Sequence, residues 1–83
     1  MESSIIMGIA IEERNNYAAH VQDILTKHGC IIKTRLGLHE ATKDNCSRRG
    51  LIILQLSKDK NLIKELEHDL LKIQGVKINS MTI

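Results

Sequence analysis

The chain has 83 residues, 42% of them hydrophobic and 27% charged, which is the balance of one small soluble globular domain over 1–83 and excludes a disordered tail. There is no Pro, Trp or Phe, and thirteen Ile and ten Leu supply most of the apolar mass. A net charge of +2 and a single aromatic, Tyr17, offer neither the basic face nor the stacking platforms of a nucleic-acid module.

In chain order, Ile5 to Ile11 is apolar on both parities, with Ile5, Met7, Ile9 and Ile11 on one side and Ile6, Gly8 and Ala10 on the other. This predicts a central strand buried on both faces. Asn15 or Asn16 supplies an N-cap for a helix carrying Tyr17, Val21, Ile24 and His28 at helical spacing, and Gly29 ends it. Alternation from Ile31 to His39 predicts an edge strand, with Ile32, Leu36 and Leu38 on one side and Lys33, Arg35 and His39 on the other. Glu40 to Arg49 is polar and charged without periodicity, and reads as a loop. After Gly50, Leu51 to Leu56 reads as a second central strand. Ser57 or Asp59 then caps a helix with an inner stripe of Leu62, Leu66, Leu70 and Ile73, and Val76 to Ile83 alternates as the other edge strand.

An offset of 46 superposes the two halves: Ile5 on Leu51, Ile6 on Ile52, Ile24 on Leu70, Gly29 on Gly75 and Ile32 on Ile78. A β-α-β unit written twice predicts an α+β, ferredoxin-like βαββαβ sandwich, a four-stranded antiparallel sheet with two helices on one face. Helices cover only one side of such a sheet, yet both central strands are apolar on both sides. The uncovered side therefore predicts a homo-oligomer, dimer or higher, formed sheet face to sheet face or by edge pairing, with Ile5, Met7, Ile9, Leu51 and Ile53 as the interface.

Catalytic motifs are not evident: the five glycines are dispersed, and Glu12-Glu13 reads as solvated surface rather than a proton-transfer pair. The expectation is a protein that is not an enzyme and holds no cofactor. His28, His39 and Cys46 are the alternative, a metal or redox sensor, because imidazole and thiolate are the ligands that transition metal ions prefer. Their spacing lacks dense repetition, and His28 also suits a helix C-terminus through the dipole. Two cysteines form no disulfide framework, the N-terminus lacks the features of a secretory signal and no apolar run could span a bilayer, so a reduced cytoplasmic location without membrane attachment is expected.

The segments Met7-Gly8-Ile9-Ala10-Ile11-Glu12-Glu13-Arg14, Ile31-Ile32-Lys33-Thr34-Arg35-Leu36-Gly37 and Gly75-Val76-Lys77 resemble the small ACT-like proteins of the iron-only hydrogenase system regulator family. The resemblance implies an ACT-like fold, oligomeric through its sheets, and a regulatory role. It also implies a small-molecule effector near the first strand-to-helix turn, here Glu12, Glu13, Arg14, Asn15 and Asn16. The charged stretch Glu40 to Arg49 departs from that family by its length. A weaker likeness, in Asn45-Cys46 and Ile52-Ile53-Leu54-Gln55, is to the C-terminal domain of nickel-responsive regulators, although only His39 stands where that family carries two histidines.

Overall fold

The computed structural model describes residues 3–12, 14–41 and 46–83, the side chains of 14–16, 38–41 and 46–48 excepted. The elements run β1 (Ile5–Ile11), α1 (Arg14–Lys27), a 3₁₀ turn (Gly29–Ile31), β2 (Ile32–Ala41), β3 (Cys46–Leu56), α2 (Lys60–Leu71) and β4 (Val76–Thr82). The strands form one antiparallel sheet in the order β2-β3-β1-β4, so the two strands that are apolar on both parities occupy the centre, as the repeat predicts.

Both helices pack on one face. Met7, Ile9 and Ile11 of β1 and Ile52, Leu54 and Leu56 of β3 meet Val21 and Leu25 of α1 and Ile63, Leu66 and Leu70 of α2 in a single core. Asp59 caps α2: its extended backbone lets the carboxylate accept from the amides of Asn61 and Leu62, both at 3.1 Å. Gly75 ends the helical connection at φ +82°, a conformation that favours glycine, and its carbonyl accepts the Glu12 amide at 2.9 Å. α1 starts at Arg14, earlier than a cap at Asn15 or Asn16 would place it.

Three expectations need correction. The interface set placed Ile5, Met7 and Ile9 on the uncovered side, but Met7 and Ile9 are fully buried beneath the helices, and Ile5 packs against the same core. Side chains paired across antiparallel strands share a face, and Gly8 pairs with Ile53 and Ala10 with Leu51. The uncovered side of β1 is therefore Ile6, Gly8 and Ala10, joined by Leu51 and Ile53 as expected.

The second correction concerns β2, where a bulge between Ile32 and Thr34 adds one residue and reverses the side-chain parity. Ile32 thus packs against the core, whereas Leu36, opposite Ile53, is 52% exposed on the uncovered face.

The third is the loop from Glu40 to Arg49. Its ends are strand: β2 continues to Ala41, paired with Cys46, and β3 begins at Cys46. The pairing of β1 with β3 stops at Gly50, so beyond it this hairpin is a two-stranded arm. The middle of the expected loop lies outside the described residues.

Candidate interface and ligand sites

The uncovered face is built from alternate residues of all four strands: Thr34 and Leu36, then Leu51, Ile53 and Gln55, then Ile6, Gly8 and Ala10, then Lys77, Asn79 and Met81. Leu36 and Met81 are more than half exposed, and Ile6, Leu51 and Ile53 partly so. The Thr34 hydroxyl donates to Gln55 Oε1 at 3.2 Å, pairing two polar groups within the apolar surface.

One end of this face is ionic. Glu12 Oε1 stands 3.7 Å from Arg49 Nε and 3.6 Å from Lys77 Nζ, so one carboxylate links β3, just past the end of its pairing with β1, to the start of β4. All three side chains are well exposed, and such pairs contribute at most about 1 kcal/mol each. Of the effector residues expected from the resemblance, Glu12 is thus placed at the rim of the uncovered face. Glu13 lies outside the described residues, and Arg14, Asn15 and Asn16 form the first turn of α1, their side chains undescribed.

The metal-ligand set is divided within the chain. His28 precedes β2 and His39 lies near its far end, and seven residues of strand separate Ile32 from His39 by about 23 Å. His39 pairs with Gly50 and Cys46 with Ala41, so those two residues share the hairpin arm. Among the described residues no group of three or more His, Cys, Asp or Glu side chains is placed to hold a metal ion.

His28 instead joins an ionic cluster between the helices that has no local sequence signal, because its partners are over forty residues apart. Its Nε2 lies 2.7 Å from Asp69 Oδ2, where an ionised carboxylate requires the ring nitrogen to donate. Lys27 Nζ approaches the same oxygen at 3.4 Å and Lys72 Nζ the other at 3.9 Å. The His28 hydrogen bond holds Asp69 below its ordinary value of 3.8, with burial opposing the shift and Lys27 adding to it. An open cleft of about 500 Å³ beside the cluster is lined by Lys27, His28, Lys64, Glu65, His68 and Asp69.

A carboxylate whose folded pKa is depressed stabilises the fold above its unfolded pKa and loses that contribution as pH falls through the folded value. Asp69→Asn should therefore lower the urea midpoint at neutral pH, with the difference from wild type shrinking as pH drops below 3.8. A difference constant from neutral to strongly acidic pH would show that the ionised carboxylate is not its source.

The strand order and double β-α-β repeat define a class of fold, the ferredoxin-like α+β sandwich, which ACT domains and PII-like proteins share. The ACT domain of GTP pyrophosphokinase from Chlorobium tepidum matches with a TM-score of 0.66 at 19% identity, over 98% of this chain and 89% of that one. CPII, a nitrogen regulatory PII-like protein from Thiomonas intermedia K12 solved with ADP, AMP and bicarbonate bound, matches with a TM-score of 0.72 at 13% identity, over 99% and 89%. The Thermotoga maritima protein TM1266 gives a TM-score of 0.78 at 24% identity over 99% of both chains. No curated protein matches the chain.

Residues 4–80 match the family described as "TM1266-like: Iron-only hydrogenase system regulator, putative". The chain belongs to this TM1266-like family. Both the family resemblance and the ferredoxin-like fold expected from the sequence are thereby established.

Proposed function

We propose that this protein is a non-enzymatic, ligand-sensing regulatory domain that works as a homo-oligomer, its copies meeting through the uncovered face of the sheet. The observation that carries this reading is that face itself, with Ile6, Leu36, Leu51, Ile53 and Met81 contiguous on one side of a sheet whose other side is filled by helices. Contiguous exposed apolar surface of this kind marks interaction sites. Membership of a regulator family and the PII-like and ACT-like fold support the regulatory role.

The effector site belongs at the turn from Glu12 to Asn16. Glu12 stands at the rim of the face, between Arg49 and Lys77, so an anionic ligand arriving there would compete for the same two cations and alter the edge of the interface. CPII binds ADP, AMP and bicarbonate, which makes adenine nucleotides and bicarbonate the first compounds to test beside amino acids. Cys30 is free and exposed, consistent with a reducing compartment. Among the described residues no helix is long and apolar enough to cross a membrane.

A ligand that binds only the native state stabilises it by mass action, by about 2.7 kcal/mol at a hundred times its dissociation constant. One member of this panel should raise the melting temperature of the wild type, and Glu12→Gln should change its apparent affinity. A melting temperature unmoved by the whole panel would remove the ligand-sensing part of the proposal and leave the assembly part standing.

A further inference from the structure

Gly8 stands in the middle of β1, opposite Ile53 on one side and Asn79 on the other. Glycine inside a strand surrenders backbone entropy and packs no side chain, so its presence there calls for a local reason. Conformation does not provide one: among the described residues the positive-φ glycine is Gly75, and Gly8 is ordinary strand. Internal crowding does not provide one either. A Cβ at position 8 would stand 3.9 Å from the Asn79 carbonyl oxygen and 4.0 Å from Ile53 Cδ1, which is normal van der Waals contact. Within a single chain alanine fits as well as glycine. The reason therefore lies outside the chain, on the uncovered face to which this position points, where the missing methyl group leaves a dip beside Ile53.

We infer that the dip at Gly8 is the point of closest approach between two copies of this chain, where a side chain of the facing copy packs directly on the β1 backbone. This inference rests on the sheet-to-sheet association proposed above. A second copy is the occupant that the chemistry fits. Away from the Glu12, Arg49 and Lys77 end, the residues on this face are uncharged, so two such faces meet without burying an unpaired charge. The surface also carries both halves of an interlocking contact, with Leu36 and Met81 protruding at 52% and 57% exposure and Gly8 recessed between their strands. A two-fold axis presents every such feature to its own surface. Four strands of about seven residues give a footprint of roughly 400 Å² on each copy, about 800 Å² for the pair, which is the size of a small, weak interface, so its strength depends on close fit at points such as Gly8.

The test is a dilution series of Gly8→Ala by sedimentation velocity, beside wild type and Ile53→Asp. Self-association of the wild type, with its dissociation constant raised about tenfold or more by Gly8→Ala, is the expected result, since one methyl group would hold the faces apart. Adding Gly8→Ala to the Ile53→Asp background should leave thermal stability equal or higher. Wild-type association that Gly8→Ala leaves untouched would overturn the inference while sparing the shared face. Loss of stability on adding Gly8→Ala to Ile53→Asp would overturn it too, by showing that the chain itself needs the glycine. A wild type that is monomeric throughout would overturn both readings.

Discussion

Ile53→Asp should convert the protein to a folded 9.4-kDa monomer, read by sedimentation or by light scattering behind a sizing column. Ile53 is a partly exposed residue of the central strand β3, facing away from the helices, so an aspartate there reaches solvent in the free chain and the core beneath is undisturbed. In the oligomer the same carboxylate would be buried against Ile6, Leu36 and Leu51 of a facing copy without a partner. Burying an unpaired charge costs at least about 3 kcal/mol, a weakening of a hundredfold or more in the dissociation constant. A circular dichroism spectrum like that of the wild type would separate dissociation from unfolding. If Ile53→Asp keeps the wild-type mass, copies do not meet on this face.

Leu66→Ala should have the largest effect on stability. Leu66 sits in the middle of α2, fully buried, in the core formed with Met7, Ile9 and Leu54 of the sheet and Val21 and Leu25 of α1. Truncating such a leucine costs about 2–5 kcal/mol, the removed methyl groups and the residual cavity both contributing. Native stability is about 0.05–0.15 kcal/mol per residue, so this one change removes much of what a chain of this length has, and the variant should be partly unfolded at moderate temperature. Leu71→Ala, at a position 58% exposed, is the control and should shift stability by about 0.5 kcal/mol or less. Equal costs at both positions in urea titrations would contradict the packing of α2. The comparison belongs at one fixed protein concentration, because association adds concentration-dependent stability.

The element order, both central strands and most of the inner stripe of α2 are legible in the sequence, because periodicity is a local signal; the cap is narrowed there to Ser57 or Asp59, of which the structure uses Asp59, and the buried Ile63 is missed. The facing of β1 is not. Ile5 to Ile11 is apolar on both parities, and which parity meets the helices depends on the side of the sheet to which each crossover carries its helix. That is a property of chain geometry rather than of residue type. Alternation was also misleading in β2, where one extra residue at the bulge turns Leu36 to the opposite face from Ile32. The arm beyond Gly50 reads as loop because Glu40 to Arg49 is polar and charged and shows no alternating hydrophobic pattern.

For the sites the same division holds. Leu51 and Ile53 are placed on the uncovered face by pairing with Ala10 and Gly8, as expected from the sequence, whereas Met7 and Ile9 belong to the core. The contact of His28 with Asp69 joins residues from the two halves of the chain, and nothing in the neighbourhood of either announces it. Gly8 passes for an ordinary strand residue until the space around it is measured.

Native mass spectrometry of protein isolated from its own host tests the central claim most directly, since it reports subunit number and bound mass together. A homo-oligomer at a whole multiple of 9.4 kDa, carrying a small organic or anionic ligand in excess of the polypeptide mass, is the predicted result. A bare 9.4-kDa monomer at every concentration would contradict it.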